Sequence, residues 1–347
     1  MNPYYIVAPR YIRTSAGVRV LYKLCDLINK AGGSAFIYLR PYSDPDLSCS
    51  PFDVAPFLTN KIASYHFENG LTPIIVYPEV FNIEPFDAPF KVRYLLNYNQ
   101  LLFSNDTINE EDYLLTYSEN IAQQINLDKP TSTIFLPVSD PIFYSPPAVE
   151  NRHGAVFYAG KFKYHFGGKT FPITDGLPEI TRDKPDSQTP EEIRKLFQES
   201  EFFYCYEDSA LALEAMLCGC PTIFLPNEHF QKTLGGNELL GLGYAWGANE
   251  QQIEHAKQTV HQLRERYLEL LDLADKEVAH FIHKTQLMVK NVPYIKPFAQ
   301  NRIHKSSWLQ RAENLVYFLL DNIEDKGLIA TAKIIYKRLS ANRLKLF

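Results

Sequence analysis

The sequence is short of cysteine, lacks any long apolar run and has no dominant charge sign. Its five cysteines form an odd set without paired spacing, which predicts reduced thiols and a cytoplasmic protein. No stretch reaches the ~20 apolar residues of a membrane-spanning helix. The 35 basic and 40 acidic residues leave a net charge of −5, which argues against bulk binding of nucleic acid. A chain of 347 residues is long enough for two globular domains.

Acidic residues are absent from the segment 326–347, although the chain as a whole is slightly acidic. This segment carries six basic residues interleaved with large apolar ones. Two interpretations stay open. A basic amphipathic helix suits peripheral docking on an anionic inner-membrane surface. A terminal helix that packs its apolar face on the rest of the protein has the same composition.

The stretch 201–227 contains a complete strand–helix–strand unit. Residues 202–206 are a short aromatic and apolar run typical of a buried strand. Residues 210–219 predict a helix, which cannot continue through Pro221. Residues 222–225 form the next predicted strand. A strand, a helix and a second strand in this order indicate a parallel sheet.

Glu214 is the one polar side chain of the predicted helix 210–219. A helix that is apolar nearly all round is buried, and a carboxylate on it needs a partner. One interpretation is a structural ion pair with an arginine of a neighbouring element. The other is a ligand contact, in which the carboxylate accepts hydrogen bonds from hydroxyl groups at the carboxyl ends of the strands. Burial alone favours the ion pair.

The amino-acid sequence of this stretch resembles the nucleotide-sugar site of GT-B glycosyltransferases, especially the retaining families that include glycogen synthase. In those families a Glu-x7-Glu motif runs into the sequence EAMACGxPVI, and residues 214–223 (EAMLCGCPTI) match the second half. The resemblance implies that Glu214 holds the ribose of the donor nucleotide. It also implies that Glu207 contacts the donor sugar as a catalytic group. In this chain six residues, not seven, separate the two glutamates.

The N-terminal part has the same alternation of strands and helices. Tyr4–Ala8 and Ala35–Leu39 are predicted strands, and the residues 18–29 between them have the apolar periodicity of a helix. The loop before this helix resembles the SGGxR loop that faces the cleft in GT-B N-terminal domains, with alanine in place of one glycine. The resemblance predicts that three residues of this loop line the cleft, namely Ser15, Gly17 and Arg19.

The second half restarts the pattern at the predicted strand 154–159. GT-B enzymes commonly place a basic residue on the donor diphosphate after this strand, which makes Lys161 a second catalytic candidate. Ser209 begins the helix that follows the next strand, where N–H groups and the helix dipole favour anions. The backbone of Ile180 falls where such enzymes place a loop against the nucleotide base. The predicted donor-site residues are Gly160, Lys161, Ile180, Glu207, Asp208, Ser209 and Glu214.

These patterns and the resemblance predict an α/β protein of GT-B architecture, with two Rossmann-like domains that face a cleft and C-terminal helices that cross back. We expect an N-terminal acceptor domain at 1–145, a nucleotide-sugar domain at 146–305 and terminal helices at 306–347, because prolines between 137 and 152 indicate a linker. The implied function is transfer of a sugar from a nucleotide-sugar to a saccharide or lipid-linked acceptor, in bacterial surface polysaccharide assembly. The donor is a substrate, and neither a cofactor nor a metal is expected.

Two other functions stay open. Asp44 and Asp46 form an Asp-x-Asp pair after a strand, the arrangement with which GT-A glycosyltransferases hold a divalent metal and a diphosphate. A non-catalytic subunit that binds a nucleotide-sugar for a partner enzyme is the second alternative. An inverting enzyme needs a carboxylate or histidine of the N-terminal domain as general base, and the sequence does not single one out. Glu79 and Arg93 lie where predicted strands end toward the cleft, positions that surface or packing residues also occupy.

Overall fold

The computed structural model describes residues 1–40, 50–81, 88, 90–97, 112–125, 131–182, 187–290 and 292. Two separate sheets organise these residues, one of six strands and one of four, and all the paired strands are parallel. In each sheet, helices follow several of the strands along the chain. The predicted α/β class with two Rossmann-like units is therefore confirmed.

The first unit has the strand order β2-β1-β3-β4-β5-β6. Its strands β1 and β3 are buried along their whole length, which explains why they read as continuous apolar runs and not as alternating patterns. The elements in chain order are β1 (Tyr4–Ala8), α1 (Ala16–Lys30), β2 (Ala35–Leu39), α2 (Asn60–Glu68), β3 (Ile74–Pro78), β4 (Lys91–Leu95), β5 (Tyr113–Thr116), α3 (Glu119–Gln124) and β6 (Thr131–Thr133).

The second unit has the strand order β10-β9-β8-β7. Beyond β7, Glu179 forms a parallel bridge with Phe157, so that a short extended segment lies against the outer side of β7. The elements in chain order are β7 (Ala155–Tyr158), α4 (Gly160–Tyr164), the 3-10 helix Pro172–Thr174, α5 (Pro190–Glu199), β8 (Phe202–Cys205), α6 (Ala210–Leu217), β9 (Thr222–Phe224), β10 (Tyr244–Trp246) and α7 (Glu250–Val289).

The long helix α7 joins the two units. Leu263 and Tyr267 in its first half belong to the hydrophobic core of the second unit. Val278 and Phe281 in its second half belong to the core of the first unit. Helix α7 therefore runs from the core of the second unit to the core of the first. The terminal helices predicted at 306–347, including the segment 326–347, lie outside the described residues.

Each sheet has one point where the strand order reverses. In the first sheet β1 lies between β2 and β3, so the chain leaves β1 toward one side and later returns to the other. In the second sheet the segment around Glu179 flanks β7 on one side and β8 flanks it on the other. Parallel α/β sheets bind ligands outside the carboxyl ends of the strands at such reversal points. Ligand-binding residues are therefore expected after β1 and β3 in the first sheet, and after β7 and β8 in the second.

Two short strands have no periodic signal in the sequence. β6 is confined to Thr131–Thr133, and residues 134–138 continue as irregular chain. β10 (Tyr244–Trp246) also has only three residues, too few to show a period. Asp44 and Asp46 lie outside the described residues. No helix in the described part of the chain is long and apolar enough to cross a membrane.

Candidate active site

Three of the predicted donor-site residues meet at the carboxyl end of β7. Glu207 follows β8, and its Oε2 atom accepts a hydrogen bond from the backbone N–H of Lys161 over 2.7 Å. Gly160 and Lys161 begin α4 directly after β7. The side chain of Lys161 is exposed to solvent. The carboxylate of Glu207 therefore holds the start of α4, with the ammonium group of Lys161 free to reach into solvent beside it.

Gly160 has the left-handed backbone conformation that this close approach requires, with a φ angle of +44°. A Cβ atom at this position would lie 2.6 Å from the ring of Tyr158 and 2.8 Å from the carboxyl carbon of Glu207. Only glycine combines this φ angle with the available space. The sequence pattern of glycine followed by lysine thus has a physical cause in the packing of Glu207 against α4.

Replacing Gly160 with alanine is expected to lower the free energy of unfolding by about 1–3 kcal/mol, because the added methyl group adds a clash to the unfavourable φ angle. Urea unfolding of the two proteins measures this loss. Gly176→Ala is the matched control, since Gly176 has a φ angle of +75° but nothing within 4 Å of its Cβ position. Equal losses for the two variants would mean that the contacts with Tyr158 and Glu207 are unimportant.

The ionisation of Glu207 reflects opposing effects. Burial raises the pKa of its carboxyl group. The pKa is lowered by the hydrogen bond from the N–H of Lys161 and by the positive charges of Lys161 and Arg182. A hydrogen bond with Tyr158 also lowers the pKa. A half-buried carboxyl group between two cations is typical of ligand sites and of structural networks alike.

Arg182 connects this cluster to the first unit. Its Nη1 atom donates a hydrogen bond of 2.9 Å to the carbonyl oxygen of Thr14, in the loop that follows β1. Its guanidinium group lies over the ring of Tyr158, 5.4 Å from the ring centroid. The reversal points of the two sheets therefore meet at Arg182. The sequence did not predict Arg182 as a site residue. The one indication was its position two residues after Ile180, in the segment predicted to lie against the nucleotide base.

Glu214 and Arg19 form an ion pair between the two units. The Nη1 atom of Arg19 lies 3.0 Å from Oε1 of Glu214, and Ser139 donates to the same oxygen through its hydroxyl group at 3.2 Å. The Nη2 atom of Arg19 donates to the carbonyl oxygen of Val138 at 2.7 Å. The side chains of Arg19 and Glu214 are only 11% and 3% exposed. The structure thus shows the ion-pair interpretation of Glu214, with Arg19 as the partner.

The other residues predicted for the N-terminal loop lie near this pair. Ser15 caps α1, because its Oγ atom accepts a hydrogen bond of 3.4 Å from the N–H of Val18. Gly17 lies in the first turn of α1, and a Cβ atom there would be 3.6 Å from the side chain of Leu96. Space alone therefore does not require glycine at this position. Two groups of this N-terminal segment contact the second unit: the guanidinium group of Arg19 and the carbonyl group of Thr14.

Asp208 and Ser209 are engaged with nearby backbone. The Oδ2 atom of Asp208 accepts a hydrogen bond of 2.5 Å from the N–H of Leu234 and so ties the loop after β9 to the site. Ser209 caps α6 by accepting a hydrogen bond of 3.3 Å from the N–H of Leu211. Among the described residues no group of three or more His, Cys, Asp or Glu side chains comes together in the way that a metal ion needs.

The contact predicted for the backbone of Ile180 needs a correction. The N–H of Ile180 donates to the carbonyl oxygen of Phe157 at 2.8 Å, and the N–H of Phe157 donates to the carbonyl oxygen of Pro178 at 3.1 Å. These bonds hold the segment against β7, and the side chain of Ile180 is fully buried. The N–H of Ile180 is therefore not available to a nucleotide base. Its carbonyl group stays a predicted contact.

No family model and no curated protein matches the sequence. Among solved structures, the chain is similar to the spinosyn rhamnosyltransferase SpnG, with 12% identity over 82% of this chain and 100% of that one, and a TM-score of 0.45. It is also similar to the α-glucosyltransferase AGT in complex with UDP, with 12% identity, coverages of 83% and 99%, and a TM-score of 0.39. A third is the glycosyltransferase SnogD from Streptomyces nogalater, with 12% identity, the same coverages and a TM-score of 0.40. Likenesses of this extent do not decide chemistry, which depends on the residues at the site.

Proposed function

We propose that this chain is a glycosyltransferase that moves a sugar from a nucleotide-sugar donor to a hydroxyl group of an acceptor. The observation that carries the proposal is the junction of the two sheets at Arg182, with Glu207 and Lys161 beside it. Each sheet alone has a reversal point suited to one ligand. Here the hydrogen bond between Arg182 and Thr14 joins the two reversal points. This arrangement suits a reaction between two substrates, one bound by each sheet.

The chemistry of the junction fits a leaving diphosphate. Sugar transfer breaks the bond between the anomeric carbon and a phosphate oxygen, so negative charge develops on the diphosphate in the transition state. Cations placed beforehand at that point stabilise the charge. Lys161 offers an exposed ammonium group, and Arg182 offers a planar guanidinium group that suits phosphate oxygens. Both groups belong to the unit that the sequence resemblance assigns to the donor.

The two glutamates take different parts in this proposal. Glu207 lies beside the start of α4, and in this proposal it accepts hydrogen bonds from hydroxyl groups of the donor sugar. A ribose contact of Glu214 needs Arg19 to move away, because Arg19 and Ser139 occupy Oε1 in the described arrangement. Donor binding at Glu214 would therefore be coupled to a shift between the units. The retaining chemistry of the glycogen synthase-like families is not required by either contact.

The acceptor that we propose is a saccharide or a lipid-linked saccharide of surface polysaccharide assembly. This part of the proposal comes from the sequence resemblance and from the basic, acid-free segment 326–347. A lipid-linked acceptor lies at a membrane surface, and attraction of the six basic residues to anionic lipid would bring the enzyme to it. Removing that segment and comparing sedimentation with anionic vesicles addresses this part alone.

Thermal-shift screening with UDP, TDP, GDP, CMP and ADP tests the proposed donor site, because a ligand that binds only the folded state raises the melting temperature. The matching nucleotide-sugars are then incubated with the protein, and release of the nucleoside phosphate is followed with water as the acceptor. Binding together with release supports the proposal. Binding without release, with and without added saccharide acceptors, points to the non-catalytic subunit. The absence of binding contradicts the donor site.

Lys161→Ala is expected to lower kcat for release of the nucleoside diphosphate by about 10–100-fold, since its charge counts most in the transition state. Lys163→Ala is the matched control on the same helix, because the ammonium group of Lys163 is already paired with Glu179 at 2.5 Å. The control is expected to keep kcat within about threefold. Unchanged kcat and KM in Lys161→Ala would remove Lys161 from the site.

A further inference from the structure

Glu79 occupies the reversal point of the first sheet. It follows β3 directly, and β3 lies beside β1, whose loop carries the Thr14 carbonyl group that Arg182 contacts. Its position is therefore on the acceptor side of the proposed cleft. In the sequence, Glu79 falls at the end of a predicted strand, a position that surface and packing residues also occupy.

Among the described residues, the carboxyl group of Glu79 has backbone hydrogen bonds but no charged partner. Its Oε2 atom accepts a hydrogen bond of 3.0 Å from the N–H of Leu96. The residue is only 9% exposed, and no ion pair involves it among the described residues. Burial raises the pKa of Glu79 to about 7, although hydrogen bonds from the backbone act against this rise. A base with a pKa near the working pH is both available and strong enough to take a proton.

The turn that carries Glu79 is held in place by Arg93. The guanidinium group of Arg93 donates to the carbonyl oxygen of Phe81, contacts Asp112 at 3.3 Å and lies over the ring of Tyr77. The N–H of Glu79 itself donates to the carbonyl oxygen on β4 at 3.2 Å. Catalytic groups work best on such supported elements, because little reorganisation is needed when the substrate binds.

Leu96 connects Glu79 to the loop that lines the cleft. The N–H of Leu96 binds the carboxylate, and its side chain is the nearest neighbour of a Cβ atom placed at Gly17, at 3.6 Å. Gly17 lies three residues after Thr14, where Arg182 of the second unit makes contact. Glu79 is thus separated from the cleft loop by the single residue Leu96.

The other buried carboxylates and the buried imidazole in the described part of the first unit are engaged. Asp112 pairs with Arg93, and Asp26 pairs with Lys30 at 2.8 Å. The imidazole of His66 is bound to the hydroxyl group of Tyr5 at 2.8 Å. Glu79 therefore combines a position at the reversal point with the lack of a charged partner in the part of the chain that the structure describes.

We propose that Glu79 is the general base that takes the proton of the acceptor hydroxyl group. This inference rests on the proposed function. The hydroxyl oxygen of the acceptor forms a bond to the anomeric carbon while its proton passes to the Glu79 carboxylate. The bond from that carbon to the phosphate oxygen breaks, and its electron pair leaves with the nucleoside diphosphate. Attack from the side opposite the leaving group inverts the anomeric configuration.

Glu79→Gln is the direct test, with Glu238→Gln as the matched control. Gln keeps an oxygen for the N–H of Leu96 but cannot take a proton. Glu238 is likewise 9% exposed, accepts a backbone N–H bond from Glu119 at 2.7 Å, and also has a pKa raised by burial. Release of nucleoside diphosphate from the nucleotide-sugar selected by thermal shift is measured from pH 5 to 9, with water as the acceptor.

We expect Glu79→Gln to lower kcat by about 100-fold or more while the dissociation constant of the nucleotide stays unchanged. In the wild type kcat should rise with pH through about 7, and this rise should be absent in Glu79→Gln and present in Glu238→Gln. The sugar released by the wild type should have the inverted configuration by NMR.

A Glu79→Gln variant with kcat within threefold of the wild type, or a sugar released with retained configuration, would overturn the inference. In both cases nucleotide binding and turnover by the wild type would still support the proposed function. A wild-type protein that neither binds nucleotides nor releases nucleoside diphosphate would contradict the proposed function itself. The assignment of Glu79 as the general base would then fail as well.

Discussion

Replacing Arg19 with methionine is expected to lower the free energy of unfolding by about 3–5 kcal/mol. The substitution leaves the carboxylate of Glu214, 3% exposed in the structure, without its cation. The hydroxyl group of Ser139 remains as a donor but carries no charge. A buried charge that has lost its partner keeps the cost of leaving water without the compensating attraction. Urea unfolding at neutral pH measures the loss.

A double-mutant cycle separates this pairing from the loss of packing by the long Arg19 side chain. Arg19→Met combined with Glu214→Leu removes both charges and is expected to recover most of the stability, because apolar residues of similar volume often replace a buried ion pair at little cost. A loss below about 1 kcal/mol in Arg19→Met alone, or no recovery in the double variant, would mean that Glu214 is hydrated and not held by Arg19.

The wild type is expected to lose about 3 kcal/mol of stability through Glu79 as the pH rises from below 4.5 to above 7. Burial raises the pKa of this carboxyl group from 4.5 to about 7 in the folded protein. The folded state therefore binds the proton more tightly than the unfolded state. The contribution is fully present below pH 4.5 and is lost as the pH rises through 7.

Glu79→Gln cannot ionise, so at pH 8 it is expected to be more stable than the wild type, while the two proteins should be similar in stability at pH 4. Unfolding free energies at both pH values give the difference. Glu265→Gln on the exposed face of α7 is the control and should follow the wild type at both pH values. A Glu79→Gln variant that is no more stable at pH 8 than the wild type would mean that the Glu79 carboxylate is not desolvated. A gain in stability together with a loss of turnover is typical of a functional residue.

Local chemistry was enough to predict most of the elements. The helix α5 begins at Pro190 because Thr189 and Glu192 form a capping box, and both signals are visible in the sequence. The helix α6 ends before Gly219, which has the left-handed φ angle of +78°. The buried strands β1 and β2 match their apolar runs residue for residue. These features depend on residues that are only a few positions apart, so a single sequence is enough to predict them.

The sequence alone also marked Glu214 as an anomaly and Arg19 as a residue of the cleft loop. It could not show that they meet, since 195 residues separate them and no local pattern indicates which distant arginine will approach. The packing of the two sheets through α7 decided that contact. The position of Arg182 against Thr14 was decided in the same way.

By itself, then, the amino-acid sequence determined the α/β class, the parallel strand–helix units and the residues at the start of α4 and α6, because caps, glycines and apolar runs act over short distances. Only the tertiary structure decided which charges are buried. Glu79 has an ordinary carboxyl group in the unfolded chain, and its raised pKa exists only in the folded protein, where the residue after β3 is buried and binds the N–H of Leu96 after β4. Desolvation depends on every element packed around a group, and for that reason the candidate base became visible only in the folded protein.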